Sequence, residues 1–201
     1  MSKFTYEEKN TESIYETYEW DNVWIEHANE ADRKRVLYIG DSISCGIRHQ
    51  ATAAANEEIL FDGFGTSKGL DNPYFKDALS IFHKQLPKES AILFNNGLHG
   101  WHLSEEEYEK LFDEMVSFIL ASFNKKLYLL LTTYITDEER NKRVKLRNEA
   151  VKRVTEKYSL PVIDLYSVTE ENKDKLTEDG VHPTEELYKR LAAVILEKIE
   201  E

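Results

Sequence analysis

The sequence is short of cysteine, proline and long apolar runs, and each shortage excludes a class of protein. Cys45 is the single cysteine among 201 residues, so no internal disulfide can form and folding needs no oxidising compartment. The four prolines and eight glycines form no linker. No apolar run could span a bilayer, and the first residues lack the apolar core of a signal peptide. We therefore expect a cytoplasmic protein.

Basic residues are fewer than acidic residues. The chain has 26 of them against 38 acidic residues, which gives a formal net charge of −12. An acidic surface repels phosphate backbones and anionic lipids, so we expect neither nucleic acid nor membrane as a partner. Hydrophobic residues make up 41% of the chain, and the charged residues are spread along it, which favours a folded domain over disorder.

The order of apolar and polar segments predicts one α/β domain. Residues 1–34 are polar and aromatic, and we interpret them as an N-terminal arm packed on the main domain, residues 35–201. The predicted strands are 35–40, 59–61, 91–94, 127–133 and 161–165, and the predicted helices are 42–55, 73–85, 104–123, 137–158 and 184–200. This alternation predicts three layers, α/β/α, around a parallel sheet of about five strands. Ligands of such sheets bind beyond the carboxyl ends of the strands.

The first polar motif, Gly40-Asp41-Ser42-Ile43, directly follows the first predicted strand. A serine at such a turn presents its hydroxyl at a helix N-terminus, where backbone N–H groups can stabilise an oxyanion. The simpler alternative is that Ser42 only caps the helix.

The second motif, Asp179-Gly180-Val181-His182, precedes the last predicted helix. The aspartate can accept the Nδ1–H of the histidine, which fixes the tautomer and leaves Nε2 as a base. The alternative is an Asp-Gly turn with an incidental histidine. With Ser42 the motif completes a candidate Ser–His–Asp triad, because a hydroxyl is a weak nucleophile until a base takes its proton.

The third motif, Asn95-Asn96-Gly97-Leu98-His99, follows the third predicted strand. Asparagine amides can donate hydrogen bonds to an oxyanion, whereas an Asn-Gly turn is the plain alternative. Side chains alternate along a strand, so Asn95 and Asn96 should face opposite ways and one of them should face Ser42.

Together these motifs resemble the SGNH (GDSL-type) hydrolase family over nearly the whole chain after the arm, from residue 35 to about residue 193. The resemblance implies a flavodoxin-like fold and ester hydrolysis through an acyl-enzyme, without a metal or an organic cofactor. It implies that Ser42 is the nucleophile, that His182 is the general base and that Asp179 orients the histidine.

The oxyanion hole of this family combines the serine N–H, a glycine N–H and an asparagine. The family's usual third block reads Gly-x-Asn-Asp, and the variant here resembles a branch related to carbohydrate and sialate acetylesterases. The donor is therefore open between Asn95, Asn96 and His99, and we prefer Asn95. The glycine is open between Gly63, Gly65 and Gly69, and we prefer Gly69, which lies nearest the next predicted helix.

The resemblance, together with the motifs, predicts a serine esterase that hydrolyses short-chain esters, with acetyl esters of a carbohydrate as the first choice. His99 and Trp101 are predicted substrate contacts, with a core position as the alternative for the tryptophan ring. A metal site at Asp41, Asp179 and His182 lacks a second histidine, so we expect none. The alternatives are a lipid or thioester acyl hydrolase and a non-catalytic carbohydrate-binding homologue. The oligomeric state stays open.

Overall fold

The computed structural model describes residues 13–200, so the first 12 residues of the predicted arm and residue 201 lie outside the described part. The strands are β1 (Asp21–Trp24), β2 (Lys34–Gly40), β3 (Ile59–Thr66), β4 (Ala91–Phe94), β5 (Lys126–Leu130) and β6 (Val162–Ile163). The α-helices are α1 (Ser42–Ala54), α2 (Phe75–His83), α3 (Glu105–Phe123), α4 (Glu138–Tyr158), α5 (Leu165–Glu171) and α6 (Glu185–Glu200), and Lys173–Lys175 form a 3₁₀-helix.

The six strands form one sheet in the order β1-β3-β2-β4-β5-β6. The strands from β2 to β6 run parallel, and their order is that of the flavodoxin-like folds. The predicted α/β/α fold class is therefore confirmed. The sixth strand, β1, comes from within the predicted arm and pairs antiparallel with the edge of β3.

After Lys34 and Arg35 at the start of β2, the central strands β2 and β4 are apolar because both of their faces are covered. Leu37 and Ile39 of β2 and Ile92 of β4 are completely buried. The crossover through α1 leads from β2 to one side, whereas those through α3 and α4 lead to the other side. Since such crossovers are right-handed, α1 lies on one face of the sheet and α3 and α4 lie on the opposite face. Helix α6 packs on α1, and α3 packs on α4.

Local signals in the sequence set the ends of the longer helices. Ser104 and Glu107 form a capping box at the start of α3, and Asn124 caps its other end in the left-handed conformation. The side chain of Asp137 caps α4 by accepting from the N–H of Arg140. The short helix α5 is additional to the predicted elements, and its start is capped by Asp164.

The sheet has a topological switch point between β2 and β4. The chain leaves β2 toward β3 and later leaves β4 toward β5, in the opposite direction. The connections therefore separate beyond the carboxyl ends of these two neighbouring strands and open a crevice there. The first and third sequence motifs follow these two strands, so the fold brings them to the same edge.

Candidate active site

Ser42 lies at the start of α1 and does not cap it. The cap is Asp41, whose carboxylate Oδ1 accepts from the N–H of Ile43 at 3.0 Å. The Ser42 side chain is therefore placed in the first helical turn and is partly exposed. The helix dipole and the N–H groups of that turn favour negative charge near this hydroxyl.

His182 connects Ser42 to Asp179. Its Nε2 lies 2.8 Å from Ser42 Oγ, and its Nδ1 lies 2.7 Å from Asp179 Oδ2. A carboxylate only accepts, so Nδ1 carries the proton and Nε2 presents its lone pair to the serine hydroxyl. The structure thus brings together the three residues predicted as a triad, in the geometry of a nucleophile, a base and a group that orients the base.

The two oxygens of the Asp179 carboxylate have different partners. Oδ1 accepts from the Thr177 hydroxyl at 2.8 Å and from the N–H groups of Val181 and His182 at 2.8 and 2.9 Å, whereas Oδ2 faces the imidazole. Partial burial alone would raise the pKa of Asp179. The four hydrogen bonds, that from the imidazole first, outweigh burial and hold the pKa well below its ordinary value. The carboxylate is therefore charged at neutral pH.

The loop that carries Asp179 and His182 is held at both ends. Thr177 N–H donates to His182 O at 2.8 Å, and Leu176 forms an antiparallel bridge with Pro183. Gly180 sits at the tip with a φ of +70°, a conformation that glycine adopts without strain. Its carbonyl accepts from the N–H of Thr136 at 2.9 Å. The base is thus fixed to the segment that follows β5.

The two asparagines that follow β4 point to different neighbours. Asn95 Nδ2 donates to Leu130 O at 2.8 Å and to Thr132 Oγ1 at 3.0 Å, toward β5. Asn96 Nδ2 donates to Lys68 O at 2.9 Å, in the loop after β3. Because β2 lies between β3 and β4, the Asn96 amide passes the end of β2, where Ser42 begins α1. The two amides thus point to opposite sides of the strand end, and the choice of oxyanion donor between them stays a prediction.

The candidate glycines divide between the strand and the loop after it. Gly63 and Gly65 lie within β3, and Gly69 lies beyond its end. A Cβ atom on Gly69 would stand 3.1 Å from the Cα of Gly100, so the loop after β3 touches the loop after β4. The position of Gly69 at the carboxyl edge agrees with the preference for it over the other two.

The two predicted substrate contacts, His99 and Trp101, are buried. His99 is 3% exposed, and its Nδ1 lies 3.4 Å from Glu16 Oε1 of the N-terminal segment. The Trp101 ring is 2% exposed, with the Arg147 guanidinium 4.7 Å from its centroid. This burial argues against stacking of a sugar on Trp101 and favours the core alternative.

Two residues that hold the third motif are absent from the sequence predictions. The Tyr108 hydroxyl donates to Asn96 O at 2.6 Å, and Arg147 donates to three carbonyl oxygens between residues 97 and 100. The signal for Arg147 is its spacing, since it lies on the helix face that buries Val144, Val151 and Val154. A charged residue on that stripe indicates a buried partner.

Within residues 13–200, no group of three or more histidine, cysteine, aspartate or glutamate side chains is arranged to hold a metal ion. No helix in the same range combines the length and apolar character needed to cross a membrane.

Solved structures with the same architecture include several esterases. A member of the lipolytic protein G-D-S-L family from Veillonella parvula aligns with a TM-score of 0.69 and 21% identity, over 84% of this chain and 99% of that chain. A GDSL-like lipase from Bacteroides thetaiotaomicron aligns with a TM-score of 0.67 and 19% identity, over 83% of this chain and 88% of that chain. An acetylxylan esterase from Geobacillus stearothermophilus aligns with a TM-score of 0.63 and 16% identity, over 84% and 94%.

No protein-family model and no curated protein sequence matches the chain. At these identities the structural likeness establishes the fold. The chain has the three-layer fold of the GDSL-type hydrolases, which confirms the resemblance inferred from the three motifs at the level of architecture.

Proposed function

We propose that the protein is a serine ester hydrolase that acts through Ser42, His182 and Asp179. The observation that carries the proposal is the continuous hydrogen-bonded connection from Ser42 Oγ to His182 Nε2 and from Nδ1 to Asp179, with distances of 2.8 and 2.7 Å. These three groups lie at the carboxyl edge of the sheet, where ligands of this fold class bind. The fold shared with known esterases supports the same reaction class.

The reaction follows from this geometry in two halves. Ser42 Oγ attacks the ester carbonyl carbon while His182 Nε2 takes the hydroxyl proton, and the carbonyl electron pair moves to its oxygen. The tetrahedral species collapses, the C–O bond to the alcohol breaks, and His182 returns the proton to the departing oxygen. A water molecule then attacks the acyl-serine with His182 as base, which releases the carboxylic acid and restores Ser42.

The oxyanion of both halves needs preorganised donors. The N–H groups of the first turn of α1 and the amide of Asn96 lie at the end of β2. Asn96 Nδ2 carries two hydrogens, of which one donates to Lys68 O. In the proposed site the second hydrogen donates to the oxyanion, and Gly69 supplies a backbone N–H from the adjacent loop.

We propose short acyl esters of a carbohydrate, acetyl esters first, as the substrate class. Two structural neighbours are an acetyl xylan esterase and an acetylxylan esterase, and the third motif resembles that of sugar acetylesterases. A lipid or thioester acyl group is the alternative within the same chemistry. A non-catalytic carbohydrate-binding homologue is the alternative outside it.

The experiment that tests the proposal compares Ser42→Ala with Ser44→Ala. Ser44 is in the same helical turn, but its hydroxyl donates to Asp41 O at 2.6 Å. Ser42→Ala should abolish hydrolysis of p-nitrophenyl acetate, by about 10⁴-fold or more, and should prevent labelling by a fluorophosphonate. Ser44→Ala should retain both. A binding homologue would give no labelling in the parent protein, and an active Ser42→Ala variant would exclude Ser42 as nucleophile.

A further inference from the structure

Arg147 of α4 is an arginine whose side chain is completely buried. Its guanidinium donates to Gly97 O at 3.0 Å and to His99 O and Gly100 O, each at 2.8 Å. All three acceptors belong to the loop that follows β4. Five N–H donors in a fixed planar arrangement make arginine the side chain suited to fix several carbonyls at once.

The surroundings of Arg147 show that these carbonyls are its principal partners. The nearest carboxylate oxygen, Glu105 Oε2, lies 3.3 Å from its Nε. The rings of Trp101 and Tyr108 lie 4.7 and 4.6 Å from the guanidinium carbon. Burial of a charged group costs free energy unless its hydrogen bonds are made. An apolar side chain in the same space would leave these loop carbonyls without the donors of Arg147. The arginine therefore both satisfies the carbonyls and sets the orientation of the loop.

Fixed carbonyls also fix the N–H groups of the same peptide planes. In a trans peptide the C=O and N–H bonds point in opposite directions. Gly97 O and His99 O point to α4, so the N–H groups of Leu98 and Gly100 point away from it. Helix α1, which starts at Ser42, lies on the face of the sheet opposite α4. The loop therefore directs its donors toward the side of the nucleophile.

The residue that starts the loop is fixed by Tyr108, which packs against Arg147. The Tyr108 hydroxyl, whose ring stacks beside the guanidinium, donates to Asn96 O at 2.6 Å. The Asn96 amide then reaches Lys68 O across the end of β2. Every carbonyl from Asn96 to Gly100 except that of Leu98 is thus held by Tyr108 or Arg147.

We infer that Arg147 is a positioning residue for the oxyanion hole, which orients the loop of residues 96–100 so that its amide donors face Ser42. The inference rests on the proposed function. Arg147 touches no reacting atom and acts through the loop, so its loss should weaken binding of the tetrahedral species more than binding of the ester.

The test compares Arg147→Met, Arg147→Lys and a matched control, Arg143→Met. Arg143 also joins α4 to α3, but its carbonyl partners are Trp101 and Leu103, outside the loop. For p-nitrophenyl acetate, Arg147→Met should lower kcat by about 10²-fold with little change in KM, since small misplacement of catalytic groups has effects of that size. The kcat of Arg147→Lys should lie between those of the parent and Arg147→Met, because an ammonium group keeps the charge but cannot reproduce the planar arrangement of donors. Arg143→Met should stay within about threefold of the parent.

A second readout is the inhibition constant of an alkyl boronic acid, whose tetrahedral serine adduct resembles the oxyanion. It should rise in Arg147→Met by about the factor by which kcat/KM falls. If Arg147 only stabilises the fold, Arg147→Met should have a lower melting temperature, but its kcat per folded molecule and its inhibition constant should be unchanged. That result would overturn the inference. Should Arg147→Met not fold, Arg147→Lys decides by the same two measurements. An inactive parent protein instead overturns the proposed function, and this role with it.

Discussion

At the scale of single residues, Asp179 has two separable tasks, because its two oxygens have different partners. Asp179→Asn keeps an oxygen for the donors of Thr177, Val181 and His182, but places an N–H donor against the imidazole and so favours the wrong tautomer. We expect kcat to fall by about 10⁴-fold while the loop keeps its conformation. Asp179→Ala should lose activity and thermal stability together. Equal stability of the two variants would contradict the structural task of Oδ1.

The same carboxylate predicts how stability depends on pH. The pKa of Asp179 in the folded protein lies below the ordinary value of 3.8, so its ionised form stabilises the fold above that value, and this contribution is lost as the pH falls through the lowered pKa. The difference in melting temperature between the parent and Asp179→Asn should therefore be largest above pH 4 to 5 and shrink on acidification. Melting curves between pH 3 and pH 7 measure it, and a difference that grows toward low pH would exclude the assigned direction.

Alanine variants of the two asparagines after β4 should differ in what they impair, one in catalysis and the other in stability. Asn96→Ala removes the proposed oxyanion donor, so kcat should fall by about 10²–10³-fold. Asn95→Ala leaves Leu130 O without its donor, which should cost about 1–3 kcal/mol of unfolding free energy with kcat almost unchanged. Kinetics and chemical denaturation of both variants distinguish them. A large loss of kcat in Asn95→Ala alone would restore the choice made from the sequence.

The contacts among Ser42, His182 and Asp179 could be predicted from the sequence, whereas the partners of the two asparagines and the burial of Trp101 could not. Ser42 and His182 are marked by short local motifs, at a strand end and before the last helix. The choice between Asn95 and Asn96 depends on which neighbouring strand each amide reaches, and that is set by contacts with residues 28 and 35 positions away. The place of Trp101 depends on a buried guanidinium from α4, since nothing in its own segment separates a core ring from an exposed one.

At the scale of elements, the loop before α6 depends on Gly180. Its φ of +70° is strained for other residues, and a Cβ atom would stand 1.8 Å from Thr136 Oγ1. Gly180→Ala should therefore destabilise the fold by about 2 kcal/mol or more and lower activity through His182. In the double variant Gly180→Ala/Thr136→Ala the steric clash with residue 136 is relieved, whereas the backbone strain at residue 180 remains. Chemical denaturation should show partial recovery in the double variant, and full recovery would mean that the conformation at Gly180 carries no strain.

Elements with local signals were predicted well, and those defined by distant pairing were not. Helix α3, which starts after the capping residue Ser104, lies within one residue of the predicted range 104–123, and β4 has the predicted bounds. Strand β1 has four exposed residues without an apolar pattern and is a strand only because it pairs with β3, more than 30 positions later. The predicted strand 161–165 shortens to β6, Val162–Ile163, because Asp164 caps α5.

At the scale of the whole molecule, the alternation of segments was sufficient to predict the fold class. The carboxyl edge of the sheet then brings together motifs that are far apart in sequence. The apolar residues beside them, Ile43, Leu98 and Val181, are already packed in the core. Their burial leaves these three side chains little surface with which to contact an acyl chain.

This packing predicts the dependence of activity on acyl length. The kcat/KM for p-nitrophenyl acetate should exceed that for the octanoate by about tenfold or more, because Ile43, Leu98 and Val181 are buried in the core and offer a long chain little contact. A series of p-nitrophenyl esters, with Ser42→Ala to correct for background hydrolysis, measures the trend. A kcat/KM that rises with chain length would support the lipid alternative.

The separation of 140 positions between Ser42 and His182 also has a consequence for biosynthesis. A ribosome makes the proposed nucleophile 140 positions before its proposed base. Helix α6, which packs on α1, follows the base. A nascent chain can therefore complete the parallel strands of the sheet while it has no means to activate the serine. On the proposed mechanism, the serine becomes active only after the segment that carries His182 has left the exit tunnel and reached the start of α1.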